Sequence, residues 1–344
     1  MTIRQFGTMP DGTPVEVIEI AGGGLTARFL TWGAVLQDLR LAGHAPALVL
    51  GFPDLPDYLA HSRYFGATAG RCANRIAQGE ATIDGTRFRF DRNFLGRHML
   101  HGGADGCGKR IWTVADHDSS SVRLEIVLED GHMGFPGRLT ISALFSLSGD
   151  GGLDIEYTAG TDKPTLCNLA HHSYFCLDDS GTVLDHDLQV LADTYTPVDD
   201  DLIPTGEIAP VAGTRFDFRR PRPIRREDGG GPVIDQNFCT AGERRPSRLV
   251  ARLSSRASGV SMDLATTEPG LQVYDGAPLD VPVPGLDGRA MGAFAGIALE
   301  PQIWPDAPNH PGFPSAILRP GETYRQYTRY VFRMEPNGRQ DPPR

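Results

Sequence analysis

Two adjacent histidines inside an apolar and aromatic run are the first feature of this sequence that suggests chemistry. Residues 168–177 read Asn-Leu-Ala-His-His-Ser-Tyr-Phe-Cys-Leu. In a β-strand, successive side chains point to opposite faces, so His172 shares a small, polar face with Asn168, whereas His171 lies on an apolar face. We assign His172 to chemistry at the floor of a pocket, and His171 to its support or rim. The alternative interpretation is that both are hydrogen-bonded structural histidines.

A carboxylate beyond two very small side chains is the second candidate. If residues 295–305 form a strand, Gly296, Ala298 and Glu300 share one face, opposite Ile297 and Leu299. A pocket base would have these surroundings. An ordinary solvent-facing glutamate would have them too.

Three further polar positions carry residue types that bind hydroxyl or carboxylate groups. They are Arg71, Asn74 and Arg75 in one short segment, His101 before two glycines, and Asp235 between apolar neighbours. Arginine presents a planar fork of donors, and glycines let a backbone approach a ligand closely. The competing interpretations are a solvated charged turn, a turn that holds a histidine, and a loop aspartate that caps a turn. Together with Trp304, the set could bind a polyhydroxylated ring.

A zinc site is the main metal hypothesis, and strand geometry argues against it. Cys167 and His171 would face one way and His172 and Cys176 the other, so four ligands cannot converge. Neither a P-loop nor a dinucleotide-binding glycine motif is found. The sequence therefore predicts no metal and no organic cofactor.

The composition is that of a globular protein with a small-molecule ligand. Of 344 residues, 40% are hydrophobic and 22% charged, and the formal net charge is −10. Nucleic-acid binding needs a basic face, so this balance argues against such a partner and favours a neutral or cationic ligand. No apolar run approaches the roughly 18 residues of a membrane span. Five cysteines without a CxxC pair, and no apolar leader, predict a reducing, cytoplasmic location.

Alternating apolar residues predict a chain of β-strands. The predicted elements are a half-buried strand over 122–129, hairpins over 81–90 and 139–157, a last strand over 324–332 and one short helix over 56–63. Short strands without βαβ units predict an all-β sandwich or barrel, as a single domain over residues 1–344. The segment 219–232 is expected to be the loosest, and the last ten residues to fray.

Several motifs, in the same order along nearly the whole chain, resemble the aldose 1-epimerase (galactose mutarotase) family. They are Gly70–Ala77, Leu100–Gly103, Gly134–Gly137, Thr161–Pro164, Asn168–Leu177, Asp193–Val198, Ile203–Glu207, Gly213–Phe218 and Leu299–Asp306. The resemblance implies a large β-sandwich of the galactose mutarotase type, with a sugar site in a cleft over one sheet. It also implies interconversion of the α and β anomers of a free aldose without a cofactor.

The resemblance also implies roles for individual residues. Glu300 corresponds to the general base and His172 to the general acid. The residues that correspond to sugar-binding or transition-state-supporting positions are Asn74, Arg75, His101, Asp235 and, at the rim, Gln272.

The implied chemistry agrees with the residue types. A hemiacetal ring opens when a base takes the O1 proton while an acid protonates O5, and rotation about C1–C2 then allows closure on the other face. Carboxyl and imidazole groups, with reference pKa values of about 4.3 and 6.5, suit these steps. We expect Glu300 and a nearby arginine to keep His172 charged near neutral pH.

Three positions depart from the usual family pattern, and we expect all three at the rim of the site. His171 stands where the family usually has asparagine, Arg97 lies in an altered turn before His101, and Asp275 replaces the more usual threonine. They leave the identity of the aldose open, and the sequence also leaves open whether the protein is a monomer or a homodimer.

Three rival hypotheses remain at this point. One is a non-catalytic sugar-binding or sugar-sensing module on the same fold. Another is a glycoside hydrolase that uses Glu300 and Asp235 as a carboxylate pair. The third is a hexose-6-phosphate epimerase of the same superfamily, which would need a more basic pocket than the net charge of −10 suggests.

Overall fold

The computed structural model describes residues 2–225 and 233–334. In these ranges the chain forms 27 strands, one α-helix and five short 3-10 helices. The strands are β1 (Thr2–Thr8), β2 (Pro14–Gly22), β3 (Leu25–Leu30), β4 (Val35–Leu41), β5 (Ala67–Ala69), β6 (Arg75–Ile76), β7 (Glu80–Ile83), β8 (Thr86–Arg89), β9 (Met99–Leu100), β10 (Thr113–His117), β11 (Ser121–Leu128), β12 (Leu139–Ser148), β13 (Gly152–Thr161), β14 (Thr165–Leu166), β15 (Ala170–His172), β16 (Tyr174–Phe175), β17 (Asp187–Val190), β18 (Thr194–Thr196), β19 (Ala209–Pro210), β20 (Arg222–Pro223), β21 (Asp235–Cys239), β22 (Arg248–Ser254), β23 (Val260–Thr266), β24 (Gly270–Tyr274), β25 (Ile297–Gln302), β26 (Ile317–Leu318) and β27 (Tyr324–Met334). The helix is α1 (Leu55–His61), and the 3-10 helices are Ala77–Gly79, Cys107–Lys109, His132–Gly134, Leu286–Gly288 and Ala307–Asn309.

Two large antiparallel sheets form the body of the protein. The nine-stranded sheet has the order β10-β11-β12-β13-β27-β23-β22-β17-β20, and the six-stranded sheet has the order β16-β25-β24-β21-β18-β19. A four-stranded sheet, β1-β2-β3-β4, adds a further face. Small pairs, among them β5 with β15 and β6 with β9, lie outside these sheets.

The three larger sheets share one hydrophobic core. Phe29 of β3, Phe145 of β12 and Leu271 of β24 belong to the same buried cluster. Phe29 and Phe145 stack with ring centroids 4.4 Å apart. Sheets whose inner faces pack on a common core form a sandwich, so the predicted all-β sandwich is confirmed.

Most of the predicted elements are present. Strand β11 alternates between half-buried and buried residues, and Asp84 and Gly85 turn between β7 and β8 with φ of 50° and 79°. Helix α1 begins after Asp54, whose side chain accepts a hydrogen bond from the Asp57 N–H. All five cysteines are unpaired. Among the described residues, no helix is long and apolar enough to cross a membrane.

The segment that carries the two histidines is divided between two strands. The run 168–177 is not a single strand, because β15 pairs with β5 whereas β16 pairs with β25. This change of partner moves the chain from one strand pair into the six-stranded sheet. The frayed last ten residues and positions 226–232 of the predicted loose segment lie outside the described residues.

The six-stranded sheet has one apolar and one polar face near its centre. Leu271 and Leu299 point into the common core. Their strand neighbours Gln272 and Glu300, which pair with each other across β24 and β25, therefore point to the opposite face. Strand alternation thus places a carboxylate and an amide side by side on the outer face of this sheet.

Candidate active site

The site lies on this outer face, where two small strand pairs cover the six-stranded sheet. The pair β5–β15 carries His172. The pair β6–β9 carries Arg75, and His101 follows β9 directly. These segments meet above Glu300, so residues far apart in the chain converge on one carboxylate.

Three titratable side chains form the centre of the site. Nitrogen atoms of His101 and His172 and a carboxylate oxygen of Glu300 all lie within 4.8 Å of one another. His172 Nε2 is 3.6 Å from Glu300 Oε1. The three residues are 6%, 5% and 2% exposed. His172 Nδ1 and Glu300 Oε2 are buried and have no hydrogen-bond partner among the described residues, so no internal hydrogen bond at these atoms commits either group.

Beside this centre, hydrogen bonds link four of the other predicted site residues. Arg75 Nη2 donates to Asp235 Oδ2 over 2.9 Å, and Gln272 Nε2 donates to Asp235 Oδ1. Asn74 Oδ1 accepts from the Arg75 backbone N–H. The Arg75 guanidinium also lies 4.9 Å from the ring centroid of Phe94. Both Asp235 oxygens are thus engaged, which disfavours Asp235 as the second carboxylate of a glycoside hydrolase.

His101 is arranged as a neutral hydrogen-bond donor. Its Nδ1 accepts from the Asn74 backbone N–H over 3.1 Å, so the ring proton belongs on Nε2. Burial, followed by the charges of His172 and Arg75, lowers the pKa of His101 well below its usual range. A neutral Nε2–H is a donor for a hydroxyl or carbonyl oxygen.

The central three residues have metal-ligand types, but their hydrogen bonds do not suit a metal. A ligating histidine normally donates its second ring N–H to a carboxylate, carbonyl or water. His172 Nδ1 has no such partner among the described residues, and His101 has its proton on the nitrogen that would have to bind. The donor set therefore fits hydrogen bonding to a ligand better than metal binding.

The expected charge of His172 was wrong. Burial lowers the pKa of His172 to about 4, against the opposing influence of Asp235. Burial also raises the pKa of Glu300 well above its usual range; the Asp235 charge raises it further, and Arg75 opposes this. Removing both groups from water outweighs their mutual attraction. Burial therefore favours the neutral forms of both the imidazole and the carboxyl group.

Three residues that the sequence suggested for the site have internal structural partners instead. The Arg71 guanidinium donates to backbone carbonyls, including that of Gly137 at 2.8 Å. The Asp275 carboxylate accepts from the Ile234 N–H at 2.6 Å, so it is not a rim residue. Trp304 is buried in a hydrophobic cluster. Sequence patterns cannot distinguish such buried anchors from binding residues.

The other two unusual positions also have structural roles. His171 points to the core side, where Nε2 lies 2.8 Å from Ser173 Oγ and the ring packs between Phe145 and Tyr330. The expectation that it lies on the face opposite His172 is confirmed, and the rim position is excluded. The Arg97 side chain is 52% exposed and pairs with Asp201.

Sequence reasoning missed Tyr64. Its ring centroid lies 4.5 Å from that of His101 and 5.8 Å from that of His172. Tyr64 is half-buried, and it adopts φ of +64°. A tyrosine in a short loop gives no pattern from which this contact could be read.

Comparisons with known proteins agree with this geometry. The family model described as aldose 1-epimerase matches residues 16–331. Galactose mutarotase from Rattus norvegicus is 39% identical over 340 residues, which cover 96% of this chain and 98% of the relative. Aldose 1-epimerase from Escherichia coli (strain K12) is 34% identical and covers 95% of this chain and 97% of its own.

Solved structures show the same fold. An aldose epimerase homologue from C. elegans, 33% identical, superimposes with a TM-score of 0.85 over 92% of this chain and 98% of its own. Galactose 1-epimerase from Lactobacillus acidophilus, 26% identical, gives a TM-score of 0.81 over 96% of this chain and 98% of its own. The chain therefore belongs to the aldose 1-epimerase family, isomerases that interconvert the α and β anomers of an aldose.

Proposed function

We propose that Glu300 is the general base and His172 the general acid that open and close the ring of a neutral free aldose. The observation that carries this assignment is the buried contact between them, 3.6 Å from Nε2 to Oε1, in which Nδ1 and Oε2 have no hydrogen-bond partner among the described residues. Proton transfer needs acid and base within hydrogen-bond reach of the reacting oxygens, and a single sugar ring can contact both groups here.

The pair carries the single proton that the reaction needs. Burial lowers the pKa of His172 to about 4 and raises that of Glu300 well above its usual range, so it favours a pair that shares one proton, held by the carboxyl. Transfer of that proton from the carboxyl to the imidazole gives the reactive carboxylate and imidazolium without exchange with solvent. Hydroxyl groups of a bound sugar would donate to the carboxylate and favour this form.

Ring opening then returns the pair to its neutral form. The carboxylate of Glu300 takes the O1 proton as the C1–O1 double bond forms, the C1–O5 bond breaks, and the imidazolium of His172 protonates O5. The products are an open aldehyde, a protonated carboxyl and a neutral imidazole. Burial favours the neutral pair, so the surroundings that make the ion pair costly also drive this step forward.

The remaining predicted residues would bind the sugar hydroxyls. His101 presents Nε2–H as a neutral donor. Gln272 retains its amide oxygen, since its amide nitrogen is bonded to Asp235. Because the Arg75 charge is already paired with Asp235, the centre of the site has little spare positive charge for a phosphate. A neutral aldose is the substrate class that this balance favours.

Polarimetry of freshly dissolved α-galactose and α-glucose, at low buffer concentration, tests the proposal. We expect the wild type to speed the approach to the same anomeric equilibrium. Glu300→Gln and His172→Asn should each lower kcat on the order of 100- to 10,000-fold, with circular dichroism spectra unchanged. Full activity in either folded variant would refute the assignment, and no acceleration of any aldose by the wild type would favour a binding module.

A further inference from the structure

We propose that the loop Arg63–Gly66 and the ring of Tyr174 together hold His172 in its working orientation, with Tyr64 and Tyr174 as positioning residues. This inference rests on the proposed function, in which His172 is the general acid. It assigns a task to two tyrosines that do not themselves exchange protons with the sugar.

Two hydrogen bonds fasten the loop at both ends to the segment that carries His172. The Gly66 N–H donates to the His172 carbonyl over 3.0 Å. The Tyr174 hydroxyl donates to the Arg63 carbonyl, also over 3.0 Å. The position of the loop is therefore fixed relative to the backbone that carries the His172 imidazole.

Ring packing orients the imidazole. The Tyr174 ring lies 5.1 Å from the His172 ring with an angle of 31° between planes, and the Tyr64 ring lies 5.8 Å from it at 24°. Catalytic histidines are commonly oriented by a hydrogen bond at the second ring nitrogen. Here Nδ1 has no such partner among the described residues, so the flanking rings must limit rotation of the imidazole. Tyr64 also contacts His101 and so sets the spacing of the two histidines.

The loop backbone is held in a conformation that places the Tyr64 ring on the histidines. A bulky residue with positive φ is uncommon, and such strain persists only where surrounding contacts enforce it. The Tyr64 carbonyl accepts from the Ala67 N–H over 3.0 Å, and Ser62 Oγ accepts from the Phe65 N–H over 3.1 Å. At Gly66, with φ of +70°, an added Cβ would come within 2.1 Å of the Leu36 carbonyl oxygen, so the turn requires glycine.

Two substitutions test the contribution of the Tyr174 hydroxyl and that of the Tyr64 ring separately. Tyr174→Phe removes the bond to Arg63 but keeps the ring, and we expect kcat to fall about three- to tenfold with KM unchanged. Tyr64→Asn removes the second ring with a residue that tolerates left-handed backbone, and kcat should fall tenfold or more. In both variants the imidazole resonances of His172 in ¹⁵N-edited NMR spectra, assigned with His172→Asn, should shift or broaden. Tyr157→Phe is the matched control, since its buried hydroxyl lies 3.0 Å from Thr68 Oγ1 on the core side.

The experiments distinguish failure of the positioning inference from failure of the proposed function. If His172→Asn is inactive while both tyrosine variants keep wild-type kcat and unshifted His172 resonances, the positioning inference alone fails. A rise in KM at unchanged kcat would make the tyrosines sugar contacts and would also overturn it. If His172→Asn is fully active, the proposed function itself fails.

Discussion

Two buried carboxyl–histidine pairs of almost equal separation lie in this protein. Glu300 Oε1 is 3.6 Å from His172 Nε2, and Asp178 Oδ2 is 3.7 Å from His186 Nε2. All four residues are at most 5% exposed. By distance and burial alone, the two pairs are equivalent candidates for acid–base chemistry.

Their hydrogen bonds distinguish them. Asp178 accepts from the Ser180 hydroxyl at 2.6 Å and from the Ser255 hydroxyl at 2.5 Å. His186 Nε2 accepts from the Leu177 N–H at 2.9 Å. The facing atoms of this pair are thus already used within the fold. In the Glu300 pair, the carboxyl oxygen Oε2 has no partner among the described residues. The Nδ1 atoms of His172 and His186 are both unpaired there, so the carboxyl groups make the difference.

The pKa values of the two carboxyl groups shift in opposite directions, because only Asp178 receives hydrogen bonds from hydroxyl groups. Burial alone would raise the pKa of Asp178, but the hydrogen bonds from Ser180 and Ser255 stabilise the charged form and bring the pKa below its usual value. Glu300 lacks such donors, so burial raises its pKa. A carboxyl group that the fold leaves without hydrogen-bond donors, rather than a short distance, marks the pair that can act on a substrate.

The largest expected effect is a contrast in rate between the two pairs. Asp178→Asn should keep the wild-type kcat per folded molecule, whereas Glu300→Gln should lose on the order of 100- to 10,000-fold. Polarimetric assays corrected for the folded fraction provide the measurement. A comparable loss of kcat in folded Asp178→Asn would show that the second pair also serves the reaction.

Stability should show the reverse contrast. Asp178→Ala removes the acceptor for the buried Ser255 hydroxyl and for the hydroxyl of the exposed Ser180, and should lower the free energy of unfolding by roughly 1–3 kcal/mol. Glu300→Gln should not lower it at neutral pH. Because the pKa of Glu300 is raised in the folded state, the free energy of unfolding decreases as the pH rises above the pKa that this group has in the unfolded chain. Glutamine does not ionise, so it removes this pH-dependent loss of stability. Urea denaturation at pH 7 measures both, and a clear loss in Glu300→Gln would contradict the raised pKa.

The pH dependence of kcat/KM should follow the single proton of the Glu300 pair. Activity should fall below about pH 4, where His172 is protonated as well as Glu300 and the pair holds two protons. It should fall again above the raised pKa of Glu300, where the pair holds none. The Asp235 charge raises both pKa values, so Asp235→Asn should move both limbs to lower pH. Asp178→Asn is the control and should leave the limbs in place. An alkaline limb that does not move in Asp235→Asn would argue against Glu300 as its origin.

The smallest effect is expected at His171. Because this ring packs on the core side and bonds Ser173, His171→Asn should leave kcat and KM close to wild type. Loss of that buried hydrogen bond should lower the free energy of unfolding by about 1 kcal/mol. Calorimetry would measure the stability and the polarimetric assay would measure kcat and KM. A changed preference between galactose and glucose would show that His171 affects sugar binding, contrary to its position on the core side.

Much of the fold was predictable from the sequence because strand alternation is a local property. The alternation in β11, the turn at Asp84 and Gly85, and the opposite faces of His171 and His172 all depend on neighbours within a few residues. The break between β15 and β16 was not predictable, since it depends on which distant strands pair with each piece.

The site was harder to predict wherever burial or distant partners decide the outcome. Types and motifs indicated Glu300 and His172, but the neutral state of His172 follows from burial that no local pattern records. Arg71 and Asp275 looked like ligand-binding residues because their backbone partners lie far away in the chain. The contact of Tyr64 with both histidines depends on a left-handed loop conformation.

The most direct test is a double-mutant cycle on Glu300 and His172, measured as the rate of anomer interconversion by polarimetry. If the two groups work as one proton-exchanging pair, Glu300→Gln combined with His172→Asn should be about as slow as the slower single variant. If the two losses multiply, the groups act independently, and the account of a shared single proton would be contradicted.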